Sequence, residues 1–189
     1  MDIYIDRMIF PVMTLGPGKR LAIWVSGCTR HCIGCANPEL WERSAKQRVP
    51  VQTFINILLK TINVSEIDGI TLSGGEPFEQ AMALTEMLDM LRIDTDICIY
   101  SGYRLDEIQA NADMSKLLKY ADVLIDGPYC PDLNDGHLTL RGSSNQTIHY
   151  MNQKAKKRYT TYLQNGRFVQ NFIYDNNIIS VGIHNESGK

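Results

Sequence analysis

The chain has 189 residues, 44% of them apolar and 21% charged, with a formal net charge of −2. That length suits one domain, or one domain with an appendage, and is enough to bury a core. The near-neutral balance gives no electrostatic reason for binding nucleic acid or a membrane surface. No apolar run approaches membrane-spanning length, and Met1 to Asp6 lacks the basic-then-apolar order of a secretory signal. Five cysteines, an odd number, argue against a disulfide framework. The compartment expected is a reducing cytoplasm.

Residues 1–20 read as a lead-in ending in the turn Gly16-Pro17-Gly18. The apolar run Leu21 to Val25 predicts a buried strand over about 21–26, which leads into Ser26-Gly27-Cys28-Thr29-Arg30-His31-Cys32-Ile33-Gly34-Cys35. Pro38 and Glu39 after Asn37 predict a first helical turn with Asn37 as its cap. Val51, Phe54, Ile55, Leu58, Leu59 and Ile62 recur at helical spacing and predict an amphipathic helix. Gly69 to Ser73 predicts a second strand running into Gly74-Gly75-Glu76-Pro77. A helix over about 78–91 follows, with Met82, Leu84, Met87, Leu88 and Leu91 on one side.

Ile97 to Tyr100 predicts a third strand, ending in Ser101-Gly102-Tyr103. Helical sequence over about 106–120 leads to a fourth strand, Val123 to Ile125, closed by Asp126-Gly127-Pro128. Strands alternating with helices predict βαβ units and a parallel sheet. The cysteine loop, Gly74 to Glu76, Ser101-Gly102 and Asp126 then all fall at carboxyl ends of parallel strands, where such folds bind ligands. The polar loop Arg141-Gly142-Ser143-Ser144-Asn145-Gln146 is placed to reach the same edge.

Beyond it, Tyr159 to Leu163, Phe168 to Tyr174 and Ile178 to Ile183 read as three strands. They are joined by Asn165-Gly166, a hairpin signal, and by Asn176-Asn177. Residues 151–189 are therefore expected to form a small antiparallel β appendage to a domain over 1–150. Lys154, Lys156, Lys157 and Arg158 read as a solvated face.

Cys28, Cys32 and Cys35 are spaced C-x3-C-x2-C. Three thiolates can hold three irons of a cubane iron–sulfur cluster, and no fourth cysteine is near in sequence, which leaves one iron open to a non-protein ligand. A structural zinc site would want a second Cys or Cys/His arm, and Cys98 and Cys130 are isolated. The spacing favours a cluster, with zinc and disulfides as the alternatives. An open iron chelated by an amino acid's amino and carboxylate groups would also need acceptors for the ammonium. Gly74-Gly75-Glu76 suits that role, its glycines letting carbonyls approach and Glu76 adding charge. Alone, the same tripeptide reads as a strand-to-helix turn with Glu76 at a helix start.

C-x3-C-x2-C followed by Ser73-Gly74-Gly75-Glu76-Pro77 resembles the radical S-adenosylmethionine (SAM) superfamily. Gly16-Pro17-Gly18, Ser26-Gly27-Cys28, Ser101-Gly102-Tyr103, Asp126-Gly127 and Arg141 to Gln146 resemble, within it, the activases of glycyl radical enzymes of the anaerobic ribonucleotide reductase type. The likeness spans about residues 9–150. It implies an incomplete (βα) barrel of mostly parallel strands with a 4Fe–4S cluster on Cys28, Cys32 and Cys35. It further implies SAM on the open iron, with Gly74, Gly75, Glu76, Ser101, Asp126, Arg141 and Asn145 as cofactor-binding candidates. A flavodoxin or ferredoxin type donor would supply one electron. Cleavage of SAM would then yield a 5′-deoxyadenosyl radical that takes hydrogen from a glycine of a partner glycyl radical enzyme.

Three positions depart from the family pattern: Gly34 before the third cysteine and Ala36 after it offer adenine no aromatic surface, and Pro128 stands where relatives carry a lysine facing the SAM carboxylate. Arg141 is the substitute candidate, because guanidinium binds carboxylate bidentately. Cys98 reads as a core thiol, Cys130 as a loop thiol, Trp24 and Trp41 as packing residues, and His137 and His149 have no assigned role.

Two other functions compete with activation of a glycyl radical enzyme: a radical SAM enzyme acting on a peptide or small metabolite, and a non-catalytic iron–sulfur or zinc module. A region of about 150 residues is too small to wall off a barrel mouth, so a protein substrate is expected to seal the site. That favours the activase.

Overall fold

In the computed structural model, which describes residues 1–174 and 177–184, strands and helices alternate through most of the chain. Two strands, β1 (Asp2–Val12) and β2 (Arg20–Val25), form an antiparallel pair, and β3 (Arg48–Pro50) pairs antiparallel with β1 on its other side. The chain continues through α1 (Val51–Val64), β4 (Gly69–Gly74), α2 (Ala81–Leu91), β5 (Asp96–Tyr100), α3 (Leu105–Ala110), α4 (Ala112–Leu118) and β6 (Val123–Asp126). After β7 (Thr147–Tyr150) come α5 (Gln153–Tyr162) and a separate antiparallel hairpin of β8 (Val169–Tyr174) and β9 (Asn177–Gly182).

One seven-stranded sheet results, in the order β3-β1-β2-β4-β5-β6-β7. Its centre, β2-β4-β5-β6, is parallel, while β1, β3 and β7 are antiparallel additions at the two edges. The βα alternation of the sequence therefore stands as a mixed α/β sheet with β3 and β7 as its edges.

Alternation along the strands sorts the core into two faces. Leu21, Ile23, Val25, Ile70, Leu72, Ile97, Ile99 and Leu124 pack under α1 to α4. Ala22 and Trp24 turn the other way, against Val181, Ile179 and Phe172 of the hairpin. Cys98, Val123 and Ile125 do the same against Ala155, Tyr159 and Tyr162 of α5. A sheet with two apolar faces must be covered on both, and the segment after residue 150 covers the second.

Several sequence expectations change. Residues 2–12 are a strand and not a lead-in, and 147–150 form an edge strand not read from the sequence. Tyr159 to Leu163 lie in α5 and the single 3-10 turn after it, so the expected three-stranded meander is one helix and a two-stranded hairpin. Asn152 caps α5 by accepting from the Ala155 amide at 2.8 Å, and Ala155, Tyr159 and Tyr162 form its buried stripe. Asn165-Gly166 ends that helical segment, Gly166 taking φ 71. Of the Asn176-Asn177 turn, Asn176 lies outside the described residues, as does the appendage beyond 184.

Met82 is exposed, because the inward stripe of α2 starts at Ala81 and continues through Leu84, Met87, Leu88 and Leu91. Lys154, Lys156 and Lys157 are exposed as expected. Arg158 is half-buried, and it donates to Asp96 Oδ1 at 2.6 Å. Cys98 is fully buried. Among the described residues no helix is long and apolar enough to cross a membrane.

Candidate active site

The cysteine loop leaves β2 at the carboxyl edge of the parallel strands, and backbone hydrogen bonds fix where it starts. Ser26 N donates to Tyr4 O at 3.0 Å, Gly27 N to Leu40 O at 2.8 Å and Cys28 N to Trp41 O at 2.9 Å. From the neighbouring strand end, Gly75 N donates to Val25 O and Glu76 N to Gly27 O, both at 2.8 Å. The first cysteine and the Gly74-Gly75-Glu76 turn thus share one set of main-chain bonds.

Glycine is required at this junction. A Cβ on Gly75 would lie 2.4 Å from Gly27 O, and one on Gly74, at φ 108, would lie 2.4 Å from Val25 O. Further round the loop, Glu79 Oε1 accepts the amide and hydroxyl of Thr29 at 2.8 and 2.6 Å, His31 stacks against Trp41 with ring centroids 4.7 Å apart, and Asn37 N donates to Cys35 Sγ at 3.4 Å. The helical turn expected after Asn37 is a single 3-10 turn, Pro38–Leu40. The Asn37 side chain does not cap it and accepts from Arg7 at 2.7 Å instead.

All three thiols are free and partly exposed. They line a cavity of about 630 Å³ together with Gly74, Gly75, Glu76 and Ser101, a size in the range of small-molecule sites. No group of three or more His, Cys, Asp or Glu side chains among the described residues is drawn together as for one metal ion. A cubane takes each thiolate on a separate iron, and three free thiols on one cavity wall are a donor set that fits it. Burial pushes the Cys28 thiol up to about 11, with Glu76 and Glu79 adding to the rise. A metal held by this thiol would have to displace a proton.

Glu76 is 1% exposed and its carboxylate is heavily used. Oε1 accepts from Phe78 N at 3.0 Å and Ser101 Oγ at 2.9 Å, and Oε2 accepts from Gly102 N at 2.7 Å. The sequence placed Glu76 both at a ligand and at a helix start. It does hold the 3-10 turn Pro77–Gln80, and it still forms part of the cavity wall. Burial pushes it up to about 7 in spite of those three bonds, which favour the ionised form.

The remaining candidates are close by but turned elsewhere. Asp126 Oδ2 accepts from Leu105 N at 2.6 Å, at the start of α3, and Oδ1 stands 3.1 Å from His149 Nε2. Arg141 donates to Gln146 O at 2.8 Å within its own loop, and Asn145 donates to Pro128 O at 2.7 Å, tying that loop to the segment directly after β6. None of these three lines the cavity, whereas Gly127, Gly142 and Gln146 do.

Sequence reasoning missed Arg7, Leu15 and Tyr100 as wall residues and read Trp24 and Trp41 as packing alone. It also missed the stretch Ile179 to His184, which lines the cavity from the hairpin. The hydroxyl of Tyr100 and Nε1 of Trp41 are fully buried behind this wall, with no hydrogen-bond partner among the described residues.

Cysteine donors and cavity together define a single-cluster iron–sulfur domain. Residues 14–149 match the family model described as a 4Fe-4S single cluster domain. The chain is 35% identical over 143 residues to the anaerobic ribonucleoside-triphosphate reductase-activating protein of Salmonella typhi, covering 72% of this chain and 91% of that one. The protein of the same name from Haemophilus influenzae is 39% identical over 142 residues, covering 71% and 89%. The counterpart from Enterobacteria phage T4 is 33% identical over 138 residues, covering 70% and 85%. The chain belongs to the family of anaerobic ribonucleoside-triphosphate reductase-activating proteins.

Proposed function

We propose that this protein is a radical SAM activase that installs a glycyl radical on an anaerobic ribonucleotide reductase. The observation that carries the reading is the shared cavity wall: Cys28, Cys32 and Cys35 on one side, Gly74, Gly75 and Glu76 on the next strand end. The three thiols would hold the 4Fe–4S cluster. Cluster and SAM, when bound, supply a one-electron reductive cleavage of the sulfonium C–S bond, giving methionine and a 5′-deoxyadenosyl radical able to take hydrogen from a glycine Cα.

Each element of the chain has its part. Gly74 and Gly75 let the turn after β4 close onto Val25 and Gly27, and that close approach sets the main-chain carbonyls that would meet a ligand's ammonium. Glu76 fixes the loops after β4 and β5 relative to one another and adds negative potential beside that ammonium. Leu15, Trp24 and the hairpin make the other side apolar and keep water from it. Arg141 and Asn145 act at one remove, by holding the loop that contributes Gly142 and Gln146. We place the catalytic domain at 1–150, as a partial barrel, in a reducing cytoplasm with a flavodoxin or ferredoxin type donor.

The test is anaerobic reconstitution with iron and sulfide, followed by incubation with dithionite, SAM and an anaerobic ribonucleotide reductase. The expected products are 5′-deoxyadenosine and a glycyl radical signal on the reductase. Deoxyadenosine without a radical on any such reductase would assign the enzyme to another substrate. Bound zinc with no SAM cleavage would sink the radical reading altogether.

A further inference from the structure

The family match ends at residue 149, yet the cavity does not. Its wall opposite Gly74 to Glu76 includes Ile179, Val181 and Ile183, from a tail that the match leaves out. We propose that this tail, through β9, is the nucleoside-binding wall of the site: the adenine of SAM lies against Ile179, Val181 and Ile183. The inference rests on the SAM reading above.

Four observations lead there. First, the cysteine loop offers the cavity only Gly34 and Ala36 next to Cys35, neither of which can cover a flat base. Second, the hairpin presents a continuous apolar surface. Val181 is buried against Trp24, Val12 and Leu15, with Ile179 and Ile183 packed beside it. Apolar faces with hydrogen-bonding groups at the rim are what a purine requires.

Third, among the described residues β9 pairs with β8 alone, so its other edge carries main-chain donors and acceptors with no strand partner there. Thr14 Oγ1 donates to one of them, Val181 O, at 3.0 Å.

Fourth, the tail is anchored firmly enough to serve as a wall. Tyr159 and Arg158 both donate to Asp96, at 2.7 and 2.6 Å. Tyr162 Oη donates to Met13 O at 2.7 Å. Gln170 accepts from Met13 N and donates to Pro11 O, both at 3.0 Å. Arg167 donates to the carbonyls of Leu138, Arg141 and His184.

The experiment is amide hydrogen exchange on the reconstituted full-length chain under anaerobic conditions, with and without S-adenosylhomocysteine, and with methionine as the second probe. Exchange over 179–184 is expected to slow with S-adenosylhomocysteine and to stay unchanged with methionine. In parallel, Ile183→Asp, at the end of the wall, is expected to weaken S-adenosylhomocysteine binding tenfold or more with iron content unchanged, roughly 1.4 kcal/mol per decade. Protection of residues 26–37 by S-adenosylhomocysteine without any change at 179–184 would overturn the tail's role alone. Protection at neither segment would overturn the SAM reading along with it. Should Ile183→Asp fail to fold, the exchange data on the unmodified chain decide.

Discussion

Glu76 Oε1 accepts the Ser101 hydroxyl at 2.9 Å, joining the loop after β4 to the loop after β5 through a carboxylate that is 1% exposed. Glu76→Ala leaves that hydroxyl and the amides of Phe78 and Gly102 without acceptors. A buried donor left unpaired costs ~1–3 kcal/mol, so a loss of about 3 kcal/mol is expected in urea unfolding of the metal-free chain. Ser101→Ala leaves the carboxylate its two amide donors and deprives only the Tyr103 amide, which Ser101 Oγ accepts at 3.0 Å, so it is expected to cost about 1–2 kcal/mol. Equal losses in the two variants would show that Glu76 does not tie the loops.

The same residue sets a pH dependence. Burial pushes Glu76 up to about 7 from an ordinary 4.5. An acid whose value is raised on folding holds its proton more tightly in the folded chain. Its contribution is full below the unfolded value and is lost as pH rises through the folded one. The metal-free chain should therefore lose stability between pH 4.5 and about 7, and Glu76→Gln should lack that increment. Parallel stability profiles for the two proteins would contradict it.

Gly75→Ala drives a methyl into the main chain of Gly27, 2.4 Å from its oxygen and 2.9 Å from its carbonyl carbon. Both contacts are backbone, so the cysteine loop and the turn must separate. If ligand binding needs the unseparated arrangement, strain of ~1–3 kcal/mol in a packed site corresponds to about a 5- to 150-fold loss of S-adenosylhomocysteine affinity. Iron content per chain and equilibrium binding of S-adenosylhomocysteine check it, and unchanged binding would free the site from this contact.

Asp96 gathers the Arg20 guanidinium at 2.9 Å, Arg158 at 2.6 Å and the Tyr159 hydroxyl at 2.7 Å. Arg20 is fully buried, so Asp96→Ala strands its charge and is expected to cost ~3–5 kcal/mol. Tyr159→Phe removes one hydrogen bond and should cost about 1 kcal/mol. Chemical denaturation of both measures the difference, and a small effect of Asp96→Ala would mean that Arg20 finds another partner.

With the proposed ligation, in which each thiolate serves its own iron, single alanine variants at Cys28, Cys32 and Cys35 are each expected to lose the visible absorption of the cluster and SAM cleavage. Cys98→Ala and Cys130→Ala should keep both, since neither thiol lines the cavity. Far-ultraviolet circular dichroism separates loss of metal from loss of fold.

What could be read from the sequence depended on periodicity staying in phase. β2, β4, β5 and β6 are short unbroken apolar runs and were legible, as was the helical stripe of α1. β1 was not, because register shifts between Ile5 and Arg7 and between Ile9 and Val12 break the two-residue alternation. Tyr159-Thr160-Thr161-Tyr162 has strand-like composition, yet packing of Ala155, Tyr159 and Tyr162 on the sheet makes it helix. Within the site, the thiols and Gly74 to Glu76 were legible because main-chain chemistry dictates them. Asp126, Arg141 and Asn145 were placed at the right edge, but which way a side chain turns there depends on neighbours such as Leu105 N, Gln146 O and Pro128 O. The Ile179 to His184 wall carries no motif, only the apolar alternation Ile179, Val181, Ile183 that any strand could show.

Arg167 grips the carbonyls of Leu138, Arg141 and His184 with a single guanidinium. The loop that follows the last parallel strand and both ends of the terminal hairpin are consequently one mechanical linkage. Any molecule that tugs on Arg141 to Gln146 also shifts the far side of the chamber, and the two sides tighten or loosen together.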